Sequence, residues 1–361
     1  MKNLKILLVI VSCSITFNAC LKEDPLKMPF QTYTPLEMSD GWEIAVPADV
    51  GIDGEALKDV YKWLHESEEI WQIRSVLVFK DNKLVAESYM KDQNDRTSLH
   101  HFWSCTKQVV GILTGIAVDN NYIESLTDPI SKYLPQTLNS DKSRITIENL
   151  LTMQSGINYD NEGLFGQTAA ILQQKPANSI DYILGLGMRS DPGTEFWYND
   201  GDPTLISAIV QKQTGVTLGE WAKEVLFKEI GVNRLVWRTY KDGVTLGGNG
   251  IFTTPRELAK IGQLVINDGQ WNEKQIINAN WLNKMTSTFD GEEGGFGYYW
   301  WIDNNRDGDK VLYMSGSGGQ VLFINKSKKL MIVITSEQNT QGNFQMGEGF
   351  TIYDRINNIT N

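Results

Sequence analysis

Segments of strand character stand towards both ends of this 361-residue chain, and the long stretch between them reads as helix. Ile73 to Lys80 and Lys83 to Met90 are β-branched and aromatic runs separated by Asp81-Asn82, a hairpin pattern. Strand signals return at Phe296 to Ile302, Val311 to Met314, Gln320 to Asn325 and Leu330 to Ser336. Strands at both ends around a helical middle imply one antiparallel sheet assembled from the N- and C-terminal parts. The expected fold class is α+β, an α/β sandwich: a sheet flanked by helices, with a mainly helical region inserted at about residues 122–290.

Helical spacing supports that layout. Asp53 to Glu68 carries Ala56, Leu57, Val60, Tyr61 and Leu64 on one face, with Asp53 as N-cap. Ser104 to Asn120 is apolar nearly all round, which predicts a buried central helix. The middle region is punctuated at Asp191-Pro192-Gly193 and at Gly247-Gly248-Asn249-Gly250. A last helix is expected from Phe344 to Ile356.

The residues before this domain have a different character. Lys2 and Lys5 precede a short apolar run, Ile6 to Phe17, that ends in Asn18-Ala19-Cys20. A basic start and a brief apolar stretch form a secretory leader, too short to span a bilayer. Its end is similar to a bacterial lipoprotein processing site, which implies residues 1–19 as signal peptide and Cys20 as the lipidated residue. Residues 20–50, polar and dotted with Pro, are then the anchor and tether, and 51–361 the folded domain. The expected location is the bacterial cell envelope, periplasmic or surface-facing, with the membrane reached through the lipid.

Composition excludes several functions. With 33 Lys+Arg against 44 Asp+Glu, the net charge of −11 argues against nucleic acid as a partner. Hydrophobic residues at 41% can bury a large core, which excludes disorder. Of the three Cys, Cys13 falls in the leader and Cys20 at its end, so Cys105 cannot find an internal disulfide partner. Three His and no spaced pair give no metal site; His65-Glu66 lacks the second His of a zincin. Asp303 to Gly308 begins like a calcium loop, but Met314 stands where the bidentate Glu belongs, so a polar hairpin turn is expected.

The chemistry that remains is nucleophilic. The stretch around Ser317 lacks the following helix of a nucleophile elbow. S-x-x-K occurs at Ser88-Tyr89-Met90-Lys91 and at Ser104-Cys105-Thr106-Lys107. On a helix, a Lys three residues after a Ser lies on the same face and can reach its hydroxyl. Burial there disfavours the ammonium and supplies an amine base. On a strand the same spacing points the two side chains apart. Ser88 ends a strand, whereas Ser104 opens the most apolar helix, so context selects Ser104 and Lys107.

Further segments resemble the serine β-lactamase and penicillin-binding-protein superfamily, in its class C-like branch with esterases, D-aminopeptidases and 6-aminohexanoate-dimer hydrolases. Ile145-Thr146-Ile147-Glu148-Asn149-Leu150-Leu151-Thr152-Met153-Gln154-Ser155-Gly156 is similar to a characteristic stretch of that family, and Gly250 to Lys260 to a later helix start. The similarity runs from about Asp53 to Ser336. It implies a serine hydrolase that cleaves a small-molecule or peptide-like ester or amide through an acyl-enzyme on Ser104, without a cofactor. The family's Y-x-N motif is matched literally by Tyr159-Asp160-Asn161. The approach Pro192-Gly193-Thr194-Glu195-Phe196-Trp197 favours Tyr198 instead, as the proton-shuttling partner of Lys107. Asp200 then stands where the family has Asn, a carboxylate that accepts but cannot donate. The third motif falls on Met314 to Gln320, which implies Gly316 and Ser317 at the oxyanion and substrate-binding edge. Its usual leading cation is missing, which disfavours efficient penicillin hydrolysis. The competing reading is a non-catalytic or weakly catalytic penicillin-binding-like sensor or scaffold that keeps the pocket.

Overall fold

Asp81 and Asn82 both adopt left-handed backbone, with φ of 51° and 67°. Two successive positive φ values make the tight turn whose twist matches paired strands, so β1 (Ile73–Lys80) folds back on β2 (Lys83–Tyr89) as the sequence predicts. The computed structural model describes residues 27–161, 178–289, 294–339, 342–343 and 346–361. The leader, Cys20 and Phe344 lie outside these.

The other edge of β1 pairs with the C-terminal strands. The main sheet also holds β3 (Gly294–Phe296), β4 (Trp301–Arg306), β5 (Asp309–Gly316), β6 (Gln320–Asn325) and β7 (Leu330–Ser336), in the order β2-β1-β7-β6-β5-β4-β3. Every pairing is antiparallel, and Val76 opposite Ile334 and Val78 opposite Ile332 join the two termini. The expected α+β sandwich is what forms.

Alternation along the strands divides the core into two layers. Val76, Val78, Phe323, Ile332 and Ile334 face α1 (Gly54–Glu66) and α5 (Met346–Asn357), through Leu57, Tyr61, Leu64, Ile352 and Tyr353. Leu77, Phe79, Leu322, Ile324 and Val333 face the opposite way, into a core shared with α2 (Thr106–Asp119), α3 (Gly201–Thr214) and α4 (Pro255–Ile266). Both faces are covered, so each of these side chains is worth about 1.5–3 kcal/mol of burial. Asp53 caps α1 by accepting from the Glu55 and Ala56 N–H groups, both at 3.0 Å.

Four local expectations change. The run Phe296 to Ile302 is not one strand: the Gly297 N–H donates to the Trp300 carbonyl at 2.8 Å, and Tyr299 has φ 66°. Tyr299 and Trp300 bury in the core instead of pairing, and the Tyr299 carbonyl accepts from Gln108 Nε2 on α2. Asp303 to Arg306 belongs to β4, and only Asp307-Gly308 turns, with φ of 53° and 87°. Within the region read as helical, Leu235–Trp237 and Ile251–Thr253 are strands, and with His100–His101 from before it they form a small three-stranded sheet. Strands of two and three residues are too short to show a period.

Finally, the segment read as tether is docked from Lys27 onward. Met28 N–H donates to the Met90 carbonyl (2.6 Å), Glu87 N–H to Tyr33 (2.8 Å) and Ala45 N–H to Leu84 (3.1 Å). Arg256 on α4 reaches across to the Leu36 carbonyl and to Asp40, and binds Glu87 with two nitrogens. The attachment is made by backbone groups and a buried guanidinium, which a polar, Pro-dotted sequence does not announce.

Candidate active site

The small three-stranded sheet holds the turn that carries Ser104. Phe102 N–H donates to the Ile251 carbonyl at 3.0 Å, and Ile251 N–H donates to Thr106 Oγ1 at 3.0 Å. Thr106 Oγ1 in turn donates to the Trp103 carbonyl at 2.7 Å. Ser104 therefore sits in a 3₁₀ turn, Trp103–Cys105, one step before α2 and not within its first turn. Trp103 adopts φ 47°, a left-handed conformation costing a bulky residue about 1–2 kcal/mol. That strain sits directly beside the predicted nucleophile, which is half-buried and open on one side.

Lys107 is the second residue of α2 and is fully buried. Its Nζ donates to Ser104 Oγ at 3.0 Å, Asp200 Oδ1 at 2.5 Å and the Gly248 carbonyl at 2.9 Å. Three acceptors around one nitrogen match the three hydrogens of an ammonium. Burial pulls the Lys107 pKa down, but the Asp200 carboxylate and Tyr198 outweigh it, and the net shift is upward. Burial alone would have supplied a ready amine; the partner present favours the ion.

Asp200 precedes α3, yet its carboxylate does not cap that helix. Besides Lys107 it accepts from Asn249 Nδ2 at 2.8 Å and from Asn161 Nδ2 at 3.4 Å, and its own N–H donates to Asn161 Oδ1 at 3.0 Å. Tyr198 lies beside the same ammonium, with Lys107 Nζ 4.6 Å from its ring centre. The Tyr198 ring stacks on Trp301 at 5.7 Å. Tyr159, from the literal Y-x-N match, is instead a buried core residue. Its companion Asn161 nevertheless reaches the site.

Two glycines permit the close approach. A Cβ on Gly248 would stand 2.4 Å from Asp200 Cγ, and one on Gly316 would stand 2.3 Å from the Phe102 carbonyl. Gly316 thereby lets the end of β5 close on the Ser104 turn. Ser317 is exposed at the tip of the β5–β6 hairpin, where Gly319 N–H donates to the Gly316 carbonyl at 3.1 Å. Cys105 faces away into the core, with Sγ 3.5 Å from the Gln320 carbonyl, and burial pushes its thiol pKa well up. Among the described residues no group of His, Cys, Asp and Glu is arranged to hold a metal ion.

The site thus unites Ser104, Lys107, Tyr198 and Asp200 and brings Gly316 and Ser317 to the adjoining strand end. Sequence reasoning passed over Asn161, Gly248 and Asn249. The Gly247 to Gly250 run was visible, but as punctuation only.

Comparison with known proteins bears on this arrangement. The family model described as Beta-lactamase matches residues 74–348. The chain is 23% identical to a 6-aminohexanoate-dimer hydrolase of Paenarthrobacter ureafaciens, over 80% of this chain and 79% of that protein. A family VIII carboxylesterase superposes with a TM-score of 0.68 at 16% identity, covering 87% of this chain and 99% of its own. A penicillin-binding protein homolog from Caulobacter crescentus gives the same TM-score at 13% identity, with 84% and 97% covered.

Proposed function

The chain belongs to the beta-lactamase family and is a serine hydrolase; from that premise we propose that Ser104 is its nucleophile and that it cleaves an ester or amide through an acyl-enzyme. The observation that carries this is the 3.0 Å hydrogen bond from the buried Lys107 Nζ to the Oγ of half-exposed Ser104. A hydroxyl needs a base within such reach to become a nucleophile.

As an ammonium, Lys107 must lose a proton before it can accept one. That proton is released to solvent, and Tyr198, beside Nζ, is situated to relay the next one between the amine and the leaving group. Attack by Oγ then sends the serine proton to the Lys107–Tyr198 pair, which hands it to the departing alcohol or amine. Water repeats the sequence in reverse and frees the acyl group. The backbone N–H groups of Ser104 and Ser317 are assigned to the developing oxyanion, supported by the contact of Gly316 with the Phe102 carbonyl. Ester or amide as the substrate class is supported by the hydrolase and carboxylesterase named above. Lipid attachment at Cys20, and with it a place in the cell envelope, belongs to the same proposal and is supported by the leader pattern.

Fluorophosphonate labelling followed by mass spectrometry of the tryptic peptides tests the assignment. The adduct is expected on Ser104 and absent in Ser104→Ala. An adduct on any other serine would remove Ser104 from its role. Labelled palmitate entering the wild type but not Cys20→Ser tests the anchor.

A further inference from the structure

Beside the Ser104 turn lies a cavity of about 320 Å³ whose wall includes His101, Trp103, Arg238, Tyr240, Lys241 and Asn249. It adjoins the reacting groups at two points. Trp103 immediately precedes Ser104, and Asn249 donates to the Asp200 carboxylate. Three of these side chains are joined through Phe252 behind the wall: Trp103 lies on His101 at 3.8 Å, His101 on Phe252 at 4.1 Å, and the Arg238 guanidinium over Phe252 at 4.1 Å. The Nε2–H of His101 donates to the Asn249 carbonyl, which ties the stack to the loop that carries Gly248. These steps put the guanidinium no more than roughly 12 Å from the Trp103 ring.

The Arg238 guanidinium lies over the Phe252 ring, and its N–H groups are donors suited to an anionic group. Arg238 is exposed, so those donors can be reached. An exposed guanidinium at this cavity is notable against a net charge of −11, because the field of the whole molecule repels anions. The third family motif, meanwhile, lacks its leading cation. We propose that this cavity is a subsite for an anionic group on the substrate, with Arg238 the residue that sets the specificity. The preferred substrates are then esters or amides that carry a carboxylate at the end remote from the scissile bond. The proposal rests on the assignment of Ser104 as nucleophile.

The test compares two esters of equal length, p-nitrophenyl hydrogen adipate and p-nitrophenyl methyl adipate, which differ in one charge. The expected wild-type kcat/KM favours the anionic ester by roughly tenfold or more, as for a charge-assisted hydrogen bond. Arg238→Ala should abolish that ratio, Arg238→Lys should retain part of it, and added salt should shrink it. A wild-type ratio of one or less, or an Arg238→Ala ratio equal to wild type, overturns the subsite. The premise fails separately: Ser104→Ala turning over both esters would remove the nucleophile, whereas only the ratio between esters decides the role of Arg238.

Discussion

The chain contains the pattern S-x-x-K twice, and the two copies meet opposite fates. Ser88 closes β2, where its Oγ bonds His65 Nε2 at 2.8 Å, while Lys91 turns away to Glu337 at 2.7 Å and lies over Trp71 at 5.0 Å. Ser104 and Lys107 share one side of a helix start and bond each other. Residue spacing is identical; backbone geometry is not. The chain leaves β2 at Tyr89 and bends before Lys91, so each side chain finds its own structural partner. On a helix, positions three apart stand one above the other, and the pair becomes a unit. Burial does not separate the copies, since Lys91 and Lys107 are both buried. Convergence does. Three acceptors, two of them from distant segments, gather around Lys107, whereas Lys91 serves an ion pair at the sheet margin.

The sharpest way to break this comparison is to remove each serine. Ser104→Ala should lower kcat for an active ester by roughly ten-thousand-fold or more with the fold intact, while Ser88→Ala should leave kcat within a few-fold. Circular dichroism alongside steady-state kinetics reads both effects, and a reversed order would refute the assignment. Asp200→Asn is next. Its carboxylate helps hold the Lys107 pKa up, so an amide in its place lets the amine form at lower pH. The acidic limb of kcat/KM should move down by about one to two pH units. Superimposable profiles for the two proteins would mean that Asp200 does not govern the base. Lys91→Ala should leave kcat/KM alone but lower stability by about 1–2 kcal/mol, because Glu337 loses a buried partner. Urea titration measures that loss, and a drop in activity instead would give the first copy a catalytic role. The smallest effect belongs to Cys105→Ser. Its side chain points into the core, so activity should stay within about threefold, and inactivity matching that of Ser104→Ala would demand a thiol mechanism.

Legibility in the sequence followed the range of the interactions. Asp81-Asn82 could be read because a two-residue turn is a local event with its own residue preferences. Ser104 and Lys107 stood out because an apolar helix is an unusual place to bury a lysine. The orientation of Asp200 toward Lys107 was open to inference from the departure it makes from the family pattern. Asn161 and Asn249, by contrast, reach Asp200 from 39 and 49 residues away in the chain. Neither sits in a periodic context, and neither is unusual where it stands. The break at Tyr299 was equally hidden, because an aromatic run satisfies strand and core patterns alike.

The docked segment from Lys27 to Val46 has a consequence for how this molecule behaves in company. β2 ends the main sheet on one side, and a bare terminal strand is a template on which another chain can polymerise. Here the vacancy is filled from within: Met28, Tyr33, Glu43 and Ala45 engage the main chain of Leu84, Glu87 and Met90. The newcomer offers little to the next strand, because Pro29 and Pro35 have no N–H to give. On the far side, β3 is only three residues long, too brief to seed a ribbon. The same stretch that leads into the domain therefore guards its solubility, sealing a seam that would otherwise invite strangers.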